Sequence, residues 1–216
     1  MVSKEKGKKK AQKFSKIEKQ VMWLLAVLAI VVLISVAAYY LMKPKSPYFE
    51  YGPFEVYKKR LEGTSVDYYY IPFKMIDGPL NQIAIRNDPR ELGDIDLNVS
   101  EDLWRGISKV WVSSDPNLSY APIPAGEIGR FTIAIGLDTS YAFSEDAGSY
   151  YQMSCENATE NIRVVELRVG DETKVYSEVN CIIIEGKDDV ELSRAADKLA
   201  VTWLERLVIG TEGTKK

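Results

Sequence analysis

The sequence predicts an α+β protein of mixed α/β character. One N-terminal transmembrane helix precedes an exterior domain with a mixed sheet and a C-terminal amphipathic helix packed on it. Three observations predict this. The 22 residues from Val21 to Met42 contain no charge. From residue 54 onward, short β-prone segments alternate with Gly, Pro, Asn and Asp clusters. Near the end, a continuous apolar run (Val179–Glu185) leads into a helical pattern reaching about Val208.

The helix is justified by length and charge. At 1.5 Å per residue the stretch spans roughly 33 Å, enough for a hydrocarbon core of about 30 Å. It is apolar all round, and Trp23, Tyr39 and Tyr40 stand near its ends, where amphipathic rings favour the interface. The 28 basic and 31 acidic residues give a formal charge of −3, which conceals strong segregation. Residues 1–20 hold eight lysines and two glutamates, a net of +6; residues 43–216 carry a net of −9. This lysine bias places the N-terminus in the cytoplasm and residues 43–216 outside it. The competing reading is a cleaved signal peptide, for which Ser35-Val36-Ala37 and Val36-Ala37-Ala38 offer small residues. The apolar run exceeds the usual core of such a peptide, about 7–15 residues, so an uncleaved anchor in the lipid bilayer is expected. The tail has no arginine and no interleaved aromatics, which argues against nucleic-acid binding.

The expected layout is a basic cytoplasmic tail (1–20), the transmembrane helix (21–42), a Pro-rich stem (43–53), the exterior domain (54–210) and a polar tail (211–216). Outside the cytoplasm cysteines oxidise, so Cys155 and Cys181, the only two, are expected to pair. Three sequons, at Asn98, Asn117 and Asn157, are candidates for glycosylation on the same side of the membrane.

Along the exterior domain, Phe54–Leu61 reads as a first strand. Asp67–Ile76 reads as a second, with Pro72 marking an edge or a bulge. Asp77-Gly78 signals a turn into a third strand, Asn81–Arg86. In Gly93–Ser100, Ile95, Leu97 and Val99 alternate with Asp94, Asp96 and Asn98. The D-x-D-x-N spacing is that of a calcium loop, but Val99 stands where glycine is required, and alternation explains the pattern as a half-buried strand. Ser108–Ser113 is a further strand, then a helix starts near Pro124 and a strand lies around Ser140–Ser144. Ile162–Val169 and Lys174–Glu178 read as a hairpin about Gly170-Asp171. In the final helix, capped by Asp188 or Asp189, Leu192, Ala195, Ala196, Leu199, Trp203 and Leu207 share one face. Glu191, Arg194, Asp197, Lys198 and Glu205 fall elsewhere.

The chemistry is restricted. Histidine is absent, which removes a Ser/His/Asp triad, the commonest zinc ligand and the usual activator of a cysteine nucleophile. No phosphate-binding glycine loop or nucleophile-elbow pattern occurs, and no cofactor or metal is expected. Arg86, Asp88, Arg90 and Glu91 surround the Asn87-to-Leu92 turn and are the ligand-binding candidates. The pairs Glu145/Asp146 and Asp188/Asp189 leave carboxylate catalysis open. The tyrosines at 68–70 and 150–151 suit either strand packing or contact with a partner or sugar.

Two segments, IRNDPRELGDIDL (Ile85–Leu97) and CIIIEGKDDVELSRAADKLA (Cys181–Ala200), resemble uncharacterised archaeal single-pass membrane proteins with an exterior α/β domain. The resemblance implies an archaeal envelope protein and brings no activity with it. The expected function is binding or scaffolding at the envelope, as a subunit of a larger complex with an envelope protein partner. The alternatives are an envelope enzyme using carboxylates or a Ser/Lys pair on glycans or peptides, or a small-ligand receptor domain.

Overall fold

A computed structural model describes residues 16–42, 47–75, 79–104 and 106–212. It is α+β, with two compact units, Met1–Ser46 and Pro47–Lys216.

In the first unit α1 runs from Lys16 to Met42. Its described side chains are exposed along its length, including Trp23, Leu33 and Ile34. An 18-residue window, Gln20–Ala37, has a mean hydropathy of 2.6. A helix apolar on every face, with no protein against it, has the surface that a bilayer solvates. Length and composition allow it to span a membrane, and a signal sequence has the same character. The basic tail (1–15) and stem residues 43–46 lie outside the described residues, as do the side chains of Tyr39 and Tyr40.

The second unit opens with β1 (Tyr48–Tyr51), β2 (Phe54–Arg60), β3 (Asp67–Lys74) and β4 (Leu80–Ile85), an antiparallel meander in chain order. The stem expected over 43–53 therefore gives way to a strand. Gly52, at φ +54, turns the chain so that Tyr51 faces Phe54 and Tyr48 faces Tyr57. Phe49 and Tyr51 then reach the core, which rewards pairing over an extended linker. Pro72 sits in β3, which has neighbours on both sides. Yet β2 pairs only with residues 67–70, while β4 pairs with 69–74. Pro72 thus lies where β3 has become an edge and needs no ladder donor. The turn expected at Asp77-Gly78 lies outside the described residues.

The remaining strands are β5 (Asp96–Asn98), β6 (Lys109–Ser114), β7 (Asp138–Phe143), β8 (Ile162–Val169), β9 (Lys174–Glu178) and β10 (Cys181–Gly186). They form one mixed sheet in the order β5-β9-β10-β8-β6-β7. Ile95 and Val99 are buried about β5 and Leu97 is half-buried, while Asp94, Asp96 and Asn98 face solvent, as period-2 alternation requires. The hairpin expected between β8 and β9 does not form. β10 lies between them, antiparallel to β9 and parallel to β8. The reason is hydrophobic: all six residues of β10 are buried, so it takes a central position, and β9 cannot then reach β8.

Helix α2 (Pro122–Ala134) connects β6 to its parallel neighbour β7, and α3 (Asp189–Glu212) follows β10. Both helices pack between the meander and the larger sheet, and one core unites Val56, Ile71 and Ile85 with Phe131, Leu199, Val165 and Ile184. At the strand-to-helix crossing, a β-carbon on Gly186 would meet Leu192 N at 2.3 Å, so only glycine fits there. Asp188 caps α3 by accepting the Glu191 N–H at 2.9 Å. On the sheet face away from the helices, Val164, Cys181 and Ile183 pack beneath Met153, Cys155 and Ala158. The Cys155–Cys181 disulfide pins that segment to β10.

Two stability predictions arise here. Val179, 92% exposed in the β9–β10 turn, has φ +46, a region costly to a β-branched residue. Val179→Asn is expected to stabilise the protein by about 1 kcal/mol, seen as a rise in Tm of about 3 °C. Replacing both cysteines by serine is expected to cost about 3 kcal/mol, measured by denaturant unfolding.

Candidate functional site

β4 ends at Ile85, and the next residues form a corner that must turn because Pro89 pushes Asp88 into extended geometry (φ −63, ψ 119). Pro89–Glu91 form a single 3-10 turn, capped where Asp88 Oδ1 accepts the Arg90 N–H at 3.0 Å. Arg90 returns two side-chain hydrogen bonds to Asp88, Nε to Oδ1 at 2.9 Å and Nη2 to Oδ2 at 2.6 Å. Its guanidinium also lies 3.8 Å from the centre of the Phe49 ring. Burial works to raise the Asp88 carboxyl, but hydrogen bonds from the Arg90 side chain and backbone outweigh it and hold the group below its usual value. Three of the four ligand-binding candidates therefore have local roles in the turn. Asp88 and Arg90 clasp each other, and the Glu91 carbonyl accepts from Arg194 Nη2 at 2.9 Å.

Arg86 departs from this cluster and turns toward the helices. Its Nε lies 3.1 Å from Glu127 Oε1 on α2, and its Nη2 donates to the Tyr68 hydroxyl at 3.0 Å. Behind it, Asp197 of α3 is completely buried. One oxygen, Asp197 Oδ2, accepts from the Arg86 N–H at 3.1 Å, the Asn87 N–H at 2.9 Å and Asn87 Nδ2 at 2.8 Å. Ser193, one turn earlier on α3, donates to Glu127 Oε2 at 3.3 Å. Two acidic groups thus share a buried site with one guanidinium.

The electrostatics follow from that count. Burial pushes the Glu127 carboxyl up to about 8, with the neighbouring Asp197 adding to the rise and Arg86 and Arg130 opposing it. Burial pushes Asp197 up to about 7 against the hydrogen bonds from Asn87 and Arg86. The two titrate as a pair, and the pair retains a proton at neutral pH. Asp197 Oδ1 has no hydrogen-bond partner among the described residues.

Above this cluster lies a cavity of about 420 Å³ lined by Arg86, Asn87, Tyr120, Ile123, Val190 and Ser193, with Pro124 and Asp189 completing it. It sits at the N-terminal ends of α2 and α3, which follow β6 and β10. Ligands collect at such strand ends in α/β sheets because the loops there diverge. The floor is polar and the rim apolar, an arrangement suited to holding an amphipathic group. Glu127 and Asp197 do not line the cavity; Arg86 and Ser193 stand between it and them. No family model matches this chain, and no curated protein or solved structure does either.

The other sequence candidates are dispersed. Asn98, Asn117 and Asn157 are all exposed, in β5, in the turn after β6 and beside the disulfide. Glu145 and Asp146 sit in a polar loop, and Asp188 is a helix cap. Glu166 lies close to Cys155 and Cys181, but both sulfurs are joined in the disulfide and offer no thiolate. Tyr69 packs inward. Tyr48, Tyr57 and Tyr70 form a cross-strand row on the opposite face, with Tyr57 and Tyr70 stacked at 5.1 Å.

The sequence did not single out Glu127 or Ser193, gave Asn87 only as the start of a polar turn, and set Asp197 off the apolar face of its helix. The signal was present in part. Ala200, Val201 and Leu204 extend the apolar surface of α3 beyond one face, which marks a helix covered on two sides. Residues 85–97 and 181–200 meet at this site. Asp197 joins them at the corner, and Arg194 joins them again through Asp94 Oδ1 at 2.8 Å.

The raised acids fix how stability varies with pH. The folded pair holds protons that an unfolded chain releases near 3.8 and 4.5, so the pair's contribution to stability is greatest below that range and falls as pH rises toward about 8. The expected slope approaches 1.4 kcal/mol per pH unit for each proton held. Glu127→Gln should flatten it in denaturant titrations between pH 5 and 8. Asp197→Ala should cost about 3 kcal/mol near pH 5, because three donors lose their acceptor, and the cost should shrink as pH rises toward 8.

Proposed function

We propose that this chain is a membrane-anchored, extracytoplasmic binding or scaffold protein of the cell envelope, acting as a subunit of a larger complex. Val21–Met42 anchors it in the bilayer, and the eight N-terminal lysines orient it with residues 43–216 outside. The observation that carries the reading is the cavity at the starts of α2 and α3. Tyr120 is 58% exposed and Val190 67% exposed at its rim, which sets apolar surface beside a polar floor. Interfaces concentrate their energy where a side chain of one partner enters such a pocket and excludes water. The outer Tyr48–Tyr57–Tyr70 row supplies further aromatic area of the kind interfaces use.

A small-ligand receptor is the second reading, favoured by the same cavity, whose volume lies within the range of about 300–1,000 Å³ typical of ligand sites. An enzyme reading has less support. A general acid must reach the proton it transfers, and both buried carboxyls stand behind Arg86 and Ser193.

The test is crosslinking of native membranes and affinity capture of the full chain, run beside Val190→Arg. The expected result is one partner at near-unit stoichiometry, reduced at least tenfold in the variant while its Tm is unchanged. Capture of the chain alone, or equal capture by the variant, overturns the scaffold reading. Ligand-dependent melting would then favour the receptor.

A further inference from the structure

The cavity floor is not an independent surface. Arg86 and Asn87 line it, and their position depends on the two buried acids. Asp197 Oδ2 holds both backbone N–H groups and the Asn87 amide, and Glu127 holds the Arg86 guanidinium. Three elements meet there: the end of β4, α2 through Glu127, and α3 through Asp197 and Ser193. Any change in the charge of the pair is felt at the corner.

The charge count leaves one proton in a decisive place. The groups facing the pair are Arg86 from the corner, Arg130 from α2, Ser193 from α3 and, through Arg86, the Tyr68 hydroxyl from β3. Arg130 is exposed and Arg86 is the cation in contact. Lys198, next to Asp197 along α3, acts on Glu205 and Asp94 instead. With one proton on the pair, a single carboxylate faces a single guanidinium. Without it, a second negative charge is buried with no further donor, since Asp197 Oδ1 has no partner among the described residues. Burying an uncompensated charge is costly, and the available relief is to admit water by parting the corner from α3.

We propose that the Glu127–Asp197 pair is a proton-operated latch on the Arg86–Asn87 corner, closed while it holds a proton and opened by its loss. Opening removes two residues from the floor of the cavity and so withdraws the docking site. The latch makes partner engagement strongest in acidic to neutral surroundings and weakest in alkaline ones. The link to docking rests on the function proposed above; the latch itself does not.

Two measurements on the full chain in lipid nanodiscs test it. The first is amide hydrogen exchange of peptides covering residues 83–90 and 190–200, between pH 6 and 9, normalised for the intrinsic rate. Protection of both is expected to fall at least tenfold between pH 7 and 9, with the β10 peptide unchanged. Glu127→Gln, which keeps the shape but cannot ionise, should hold that protection nearly constant. Flat protection in the native chain, or an equal fall in the variant, overturns the latch. The second uses the native chain alone, so that a poorly folding variant cannot obscure the result. Difference infrared spectroscopy should show a protonated carboxyl band at pH 7 that is lost by pH 9, and its absence at pH 7 also overturns the latch. If the latch passes and Val190→Arg captures its partner normally, the docking reading alone has failed.

Discussion

A carboxylate that is cut off from water must find donors within the protein, and in this chain Asp197 finds all of its own at one corner. Oδ2 takes three hydrogen bonds from Arg86 and Asn87, which lie 111 and 110 positions away in sequence. Helix α3 is thereby located against the meander, while its apolar residues Leu192, Ala195 and Leu199 locate it against the larger sheet. Arg194 repeats the tie through Asp94 and the Glu91 carbonyl. A buried acid contributes little net stability, because desolvation offsets most of its attraction. Its larger effect is specificity: a misplaced α3 would leave a charge and three donors unpaired.

The same constraint explains why a cavity exists where it does. The helices lie between two sheets, so their sides are consumed by packing and their N-terminal ends are what remains accessible. The corner, α2 and α3 converge at those ends, each carrying one polar group inward and leaving apolar residues at the rim. Arg86 belongs to both levels, lining the cavity and neutralising Glu127. Ser193 does likewise on α3. Recognition at the rim and charge balance in the interior are therefore linked by two side chains.

The opposite face of the larger sheet is organised differently. Among the described residues no α-helix packs on it, and the segment from 144 to 161 covers part of it. A loop of that length buries little apolar surface, and Met153, Cys155 and Ala158 are its main contribution. The disulfide to β10 supplies what packing does not, by joining the loop to the most buried strand of the domain. Glu166 reinforces it by accepting the Cys155 N–H at 2.9 Å.

Much of the architecture was legible in the residues alone. The apolar segment, the cysteine pair, the buried run at 181–186 and the amphipathic helix after it are strong local signals, set by period, length and composition. Three features were not legible. The β8–β9 order depended on which strand would win the sheet centre, a competition among distant segments that no local pattern records. β1 was hidden in a Pro- and Gly-rich stretch whose pairing depends on a partner strand. Asp197 fell outside the predicted apolar face because helical periodicity identifies one buried face, and α3 has two. What the sequence by itself determined is an apolar segment long enough to span a membrane, most of the strands and helices, and which two cysteines can join. Only the tertiary structure decided that Arg86 leaves its charged neighbours to meet Glu127 and Asp197. Local signals arise from neighbouring residues, whereas the charge state of a buried acid depends on everything that excludes water from it.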